Sequence, residues 1–276
     1  MKFAICNELF EGWDFERVCR FVKAVGYDGL ELAPYTLATP ITELAASRRS
    51  ELRICAADAG VQLIGLHWLL AKTRGLHLTS SDVAVRRATA AYLGALAEAC
   101  RDLGGTLMVF GSPQQRSLAV GVSRAQAFDF AVDTFSQALP RVADAGVTLC
   151  MEPLTLDETD FVNTCAEGAA LVKAVDHPAF MLHLDVKAMS SETTPVTTLI
   201  RRFAGHAGHF HANDPNRGGP GSGDADFVPI FLALADAGYS GWVSVEVFDV
   251  RPGPETIARQ SLEYMKSCLP RKESLA

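Results

Sequence analysis

The sequence predicts a (β/α)8 TIM barrel, an α/β fold in which eight parallel strands close on themselves. Three observations predict it. Short apolar runs alternate with longer amphipathic runs eight times, the pattern that parallel strands joined by crossover helices produce. The chain has 276 residues, close to the roughly 250 typical of one such barrel. No G-x-G-x-x-G follows the first strand, so the competing open, doubly wound sheet lacks its usual signature. No linker divides the chain, and residues 1–276 are expected to form a single domain.

The elements follow in order. KFAICN forms the first strand and residues 14–25 a helix. LELAPY is the second strand, with a helix over 42–59, and QLIGLHW the third. After a loop at 71–82 comes a helix over 83–102, stopped by Gly104-Gly105. TLMVFG is the fourth strand, with its helix at 124–145. VTLCMEP is the fifth, its helix at 164–175 capped by Asn163 or Thr164. FMLHLDVKAM is the sixth, followed by a short helix at 195–203. HAGHFHAN is the seventh; the glycine-rich RGGPGSGDAD leads to a helix at 226–237. WVSVEVF is the eighth, with a last helix at 255–268 and a frayed tail, PRKESLA.

Bulk properties narrow the function classes. Hydrophobic residues make up 49% and the formal net charge is -7. That acidity argues against a nucleic-acid partner, which needs a basic face, and suits a cation with a neutral or polar small molecule. The seven cysteines are odd in number and form no close pair, as expected of reduced thiols in a cytoplasmic protein. No signal-peptide pattern opens the chain, and no apolar run is long enough to span a membrane.

Four strands in the second half end on metal-capable side chains: Glu152, Asp185, His211 and Glu246. In a parallel barrel such ends meet at the C-terminal rim, where active sites lie. Three carboxylates packed together repel one another unless protons or a cation offset the charge. This oxygen-rich set with one imidazole suits Mn²⁺, Mg²⁺ or Co²⁺, with Zn²⁺ as a further alternative, and the residues alone do not choose among them. Glu31 and His67 end strands two and three and can also face the cavity. His67 with Trp68 offers a surface for a sugar. His183 and His209, each two residues before a ligand, fall one layer deeper. Lys187, two residues after Asp185, shares its strand face by alternation. Arg116 follows strand four and can clamp an oxyanion. The GGPGSG loop is read as a lid or spacer, with phosphate binding as the alternative.

The run from Glu152 to Phe248, above all FHANDPNRGGPGSGDADFVPIF and GYSGWVSVEVFD, resembles the xylose isomerase-like TIM barrels of the sugar isomerase/epimerase superfamily. Within it the resemblance is to the branch of ketohexose 3-epimerases such as D-tagatose 3-epimerase. The resemblance implies one divalent metal on Glu152, Asp185, His211 and Glu246, with the two glutamates as acid and base. It implies proton transfer next to a carbonyl through a metal-stabilised enediolate, and substrate contacts at Glu158 and Arg217. It also implies a sugar partner and association as a homodimer or homotetramer. One position departs: the branch has a histidine three residues after the aspartate, and this chain has Ala188. That leaves room for a lyase acting on a keto-sugar, keto-glycoside or inosose. A phosphodiesterase of the endonuclease IV kind and a non-catalytic sugar-binding barrel are the remaining alternatives.

Overall fold

A computed structural model describes residues 1–270. All of the expected frayed tail except Pro270 therefore lies outside the described residues. Eight strands close into a parallel barrel in sequence order. They are β1 (Lys2–Cys6), β2 (Gly29–Leu32), β3 (Gln62–Leu66), β4 (Leu107–Phe110), β5 (Thr148–Met151), β6 (Phe180–Asp185), β7 (Ala207–Ala212) and β8 (Trp242–Val245). Closure is made by β8 on β1, with Lys2 opposite Trp242 and Ile5 opposite Val245. The surrounding helices are α1 (Phe15–Val25), α2 (Ala46–Asp58), α3 (Val83–Leu103), α4 (Arg124–Asp144), α5 (Cys165–Val175), α6 (Val186–Ser190), α7 (Val196–Phe203), α8 (Phe227–Asp236) and α9 (Pro254–Ser267).

Capping chemistry fixes several helix ends where the sequence places them. Asp14, Asp82 and Asp226 each accept a hydrogen bond from a backbone N–H in the first turn of the helix that follows. Ser123 with Gln126, and Thr164 with Glu167, form reciprocal capping boxes. Gly104 ends α3 at φ 91°, a conformation that favours glycine. The aromatic core between sheet and helices includes Phe110, Phe135 and Phe180, with ring centroids 5.2 and 4.7 Å apart in successive pairs.

Three elements differ from the expectation. LELAPY is strand only to Leu32; Pro34, which has no N–H for the ladder, opens a 3-10 turn instead. The helix expected over 42–59 is split, because buried Ile41 starts a separate 3-10 turn and Leu44 is extended before α2. FMLHLDVKAM stops as a strand at Asp185. The Asp185 carboxylate accepts from Ala188 N at 2.7 Å and so caps the short helix α6. Lys187 therefore does not share a strand face with Asp185; it lies on a helical turn. All seven cysteines are free, and six are buried. No helix among the described residues is long and apolar enough to cross a membrane.

Candidate active site

The C-terminal mouth of the barrel gathers the polar strand ends. Glu152 and Glu246 directly follow the last residues of β5 and β8, while Asp185 and His211 close β6 and β7. Asp185 lies opposite His211, and His211 opposite Ser244, in the strand register. Glu152, Asp185 and His211, together with His183, each offer a ligand atom, and those atoms all lie within 4.8 Å of one another. Two oxygens across one octahedral cation are at most about 4–5 Å apart, given bonds of roughly 2.0–2.6 Å, so that spacing suits a single ion. Glu246 joins through His211, whose Nδ1 is 3.3 Å from Glu246 Oε2. These two atoms are buried and have no hydrogen-bond partner among the described residues, as expected of donors aimed at a shared ligand.

Around this set lie further buried polar side chains: Cys6, Glu31, His209 and Ser244. Glu31 accepts from His209 Nε2 at 2.9 Å and faces His211 Nε2 at 3.2 Å. It thereby holds the far nitrogen of His211 and leaves Nδ1 free to point at the ligand set. His183 packs its ring on His211 at 4.2 Å and sits 4.0 Å from Glu152.

The two glutamates are electrostatically opposite. Burial raises the Glu152 carboxyl well above the usual range, and the nearby Glu246 and Asp185 raise it further. Its carboxylate receives no hydrogen bond among the described residues. Asp185 is also raised by burial, against the opposing pull of Lys187. Burial works against the charge on Glu246 too, but His211 and His67 outweigh it and hold that carboxyl well below the usual range. Burial likewise opposes protonation of His211, and Glu31 and Glu246 overcome it. A cation seated among Glu152, Asp185 and His211 would offset the repulsion that now keeps protons there. The donor set, its spacing and its uncompensated charge all fit a divalent metal.

The remaining predicted residues fall into two groups. His67, Trp68, Glu158 and Lys187 gather at the mouth. His67 Nδ1 lies 3.2 Å from Glu246 Oε1, and Trp68 Nε1 donates to the same oxygen at 2.9 Å. Trp68 adopts φ 53°, an unusual conformation for a bulky residue. Lys187 Nζ donates to Glu158 Oε1 at 2.7 Å and lies 4.1 Å from the centre of the Phe248 ring. Burial opposes the charge on Lys187, but Asp185 and Glu158 raise its pKa. Arg217 is exposed, at φ 73°, with its guanidinium 5.4 Å from the Phe248 ring.

Arg116 takes a different place from the one expected. Instead of reaching into the mouth it is wholly buried and donates to the carbonyls of Gly111, Glu152 and Val162. Ser112, four residues before it, takes a left-handed backbone conformation at φ 42°. Burial lowers the pKa of Arg116 to about 10, which leaves it charged at neutral pH. The amides of the glycine-rich loop are also spent internally. Gly223 N and Ala225 N donate to Asp214 Oδ2, and Gly218 N donates to Asn216, which counts against a phosphate there.

Three residues of the site lie outside the predicted set. Asn213 donates to Asp185 Oδ2 at 2.6 Å and accepts from Lys187 N at 2.8 Å; Glu8 faces His67 Nε2 at 2.9 Å; and Phe248 underlies Lys187. Asn213 and Phe248 stand two residues beyond His211 and Glu246, a spacing that alternation along the strands could have flagged. Gly111 completes the wall: a Cβ there would meet Glu152 Oε2 at 2.3 Å. The enclosed space among His67, Trp68, Glu152, Glu246 and Phe248 is about 20 Å³, room for roughly one water.

Comparison with known proteins agrees with this geometry. Residues 19–268 match the xylose isomerase-like TIM barrel family. A D-psicose 3-epimerase of Ruminiclostridium cellulolyticum is 30% identical over 87% of this chain and 80% of that protein. A D-psicose 3-epimerase of Agrobacterium fabrum is 31% identical over 86% of this chain and 82% of its own length. The crystal structure of D-psicose 3-epimerase with D-tagatose from Clostridium cellulolyticum H10 superimposes with a TM-score of 0.88 at 25% identity, covering 98% of this chain and 100% of that one. The chain thus belongs to the xylose isomerase-like TIM barrel family, where its relatives include ketose 3-epimerases.

Proposed function

We propose that this protein is a metal-dependent sugar epimerase or isomerase that moves a proton on the carbon next to a carbonyl. The observation that carries the reading is the convergence of Glu152, Asp185 and His211 within 4.8 Å, with Glu246 reached through His211. The D-psicose 3-epimerase relatives support it, because carbon 3 of a 2-ketose adjoins the carbonyl and carries a proton acidic enough to remove. Glu152, Asp185, His211 and Glu246 would hold the ion, with Mn²⁺ as the first choice. Bound there, a divalent cation supplies Lewis acidity that polarises the sugar carbonyl and offsets the charge of an enediolate.

The chain's own groups do the proton work. Glu246 and Glu152 form the acid–base pair, one removing the carbon-bound proton and the other returning a proton, with roles exchanged in the reverse direction. Asn213 and the α6 amide of Ala188 orient Asp185. Glu158 and Lys187, joined by their ion pair, offer an acceptor and a donor for sugar hydroxyls, and Arg217 offers donors from the rim. Trp68 and Phe248, with ring centroids 6.3 Å apart, exclude water from the reacting carbon.

Ala188 favours a second reading, since it leaves a small side chain where the ketohexose 3-epimerase branch has histidine. Proton removal followed by departure of a neighbouring substituent would make the enzyme a lyase on a keto-sugar, keto-glycoside or inosose. One screen tests both. Metal-stripped protein is given Mn²⁺, Co²⁺ or Mg²⁺ and a panel of ketoses, aldoses, inososes and 3-keto glycosides in deuterated water. The expected product is a stereoisomer or positional isomer carrying one solvent deuteron. Loss of water or aglycone would select the lyase, and absence of any metal-dependent exchange would defeat both.

A further inference from the structure

We infer that the substrate carries a second ring, and that this ring binds a groove between the β1–α1 and β2–α2 connections. The inference rests on the proposed sugar chemistry at the barrel mouth and extends it to substrate class: a ketose glycosylated on the end away from its carbonyl. The groove has a volume of about 610 Å³, within the roughly 300–1,000 Å³ usual for small-molecule sites. It contrasts with the about 20 Å³ enclosed at the acid–base pair.

Three features suit the groove to a sugar. Trp13 and Tyr35 line it, and aromatic side chains offer flat apolar area with a polar handle; Arg17 covers one face of the Trp13 ring at 3.5 Å, so a sugar would meet the remaining indole surface. Glu11 and Lys72 line it as well and form no ion pair or hydrogen bond among the described residues, so an acceptor and a donor remain free for hydroxyls. Lys72 Nζ lies 4.2 Å from the Tyr35 ring centre, which brings charge and aromatic surface together. The lining carries Glu8, Glu11 and Asp14 together with Arg48 and Lys72, a mixture of acid, base and ring that a neutral polyol satisfies.

The groove also adjoins the chemistry. Glu8 lines it, and the same carboxylate reaches His67 Nε2 at 2.9 Å; His67 in turn contacts Glu246. A single side-chain pair, Glu8 and His67, therefore separates the groove from the acid–base residues. A two-ring substrate would place its carbonyl end among the metal-ligand set and its glycosyl ring against Trp13.

The test compares D-fructose with isomaltulose, the same ketose carrying a glucosyl group on carbon 6. Dissociation constants are measured by calorimetry on the metal-loaded protein and on its Trp13→Ala and Lys72→Ala variants. The disaccharide is expected to bind at least about tenfold tighter, and each variant should bring that ratio towards one. Because the ratio compares two sugars on one preparation, a partly folded variant does not distort it. Equal affinities, no detectable disaccharide binding, or a ratio untouched by Trp13→Ala would overturn the inference. Deuterium uptake at carbon 3 is followed in parallel; its absence with every sugar tried would count against the proton-transfer reading while leaving the affinity comparison to stand or fall separately.

Discussion

The two sides of the barrel mouth neutralise their charge in different ways. On the β7–β8 side, Glu246 is surrounded by donors: His67 and Trp68 bond one oxygen and His211 faces the other. Glu31, from β2, in turn holds His209 and His211. On the β5–β6 side, Glu152 has no donor of its own, and Asp185 has only Asn213 and one backbone amide. The first side is a network of paired charges open only at His211 Nδ1 and Glu246 Oε2, whereas the second is a deficit of positive charge in a buried place. A cation would offset the deficit on the second side and would take up the two unpartnered atoms of the first, His211 Nδ1 and Glu246 Oε2, so the side with fewer protein contacts is the one that most needs the ligand.

Breaking the proposed acid–base pair should give the largest effect. Glu246→Gln keeps shape and removes the charge. Turnover should fall by about 10²–10⁴-fold, the usual contribution of a positioned acid or base. Circular dichroism should report an unchanged fold, and retention of full activity would remove Glu246 from the chemistry. Glu31→Gln attacks the supporting network instead. It leaves His209 and His211 without their carboxylate in a site with no solvent access. Metal affinity, read by titration with Mn²⁺, should drop about 10–100-fold. Breaking a buried charge pair should also cost about 3–5 kcal/mol of stability in denaturant. An unchanged metal affinity would reduce Glu31 to a core residue.

The contrast also sets a pH dependence. The pKa values of Glu152, Asp185 and His211 are all raised in the metal-free site, so these groups retain protons to higher pH than usual. Metal must displace those protons, while Glu246, with its lowered pKa, has none to give up near neutrality. Metal affinity should therefore rise with pH, about tenfold per unit for each proton displaced, and level off once the raised groups have lost their protons. Calorimetry in buffers of different ionisation enthalpy counts those protons; zero release would contradict the electrostatic reading of the β5–β6 side.

The same division explains what the sequence disclosed. The proposed β5–β8 ligands each terminate an apolar run, so period-two alternation and the barrel rule are enough to bring them to one rim. The direction of Arg116 is not legible in the sequence, because its partners are three backbone carbonyls from separate segments, and carbonyl positions are not signalled by residue type. Lys187 arrived at the mouth for a different reason from the one expected: Asp185 caps a helix, and that capping competes with strand continuation only in the folded context. Glu8 escaped notice because it follows a strand by two residues on a 3-10 turn, where no periodicity applies. Glu31 stood out only as a strand end; its partners lie 178 and 180 residues away, a separation that only barrel closure bridges.

Trp68→Phe makes the smallest change and probes how much of the β7–β8 network is redundant. The substitution keeps an aromatic ring facing Phe248 but deletes the N–H that reaches Glu246 Oε1. His67 still bonds that oxygen, and His211 still faces the other, so Glu246 remains paired. The expected stability loss is about 1.5–3 kcal/mol, the net worth of one hydrogen bond to a charged group. Removing a donor from the charged form raises a carboxylate's pKa, so the acid limb of the pH–activity profile should move to higher pH, with the maximum rate changed only a few-fold. A shift to lower pH would mean that Trp68 does not stabilise the ionised Glu246. A loss of activity as large as that of Glu246→Gln would mean that the indole, and not the imidazoles, sets the poise of the acid–base pair.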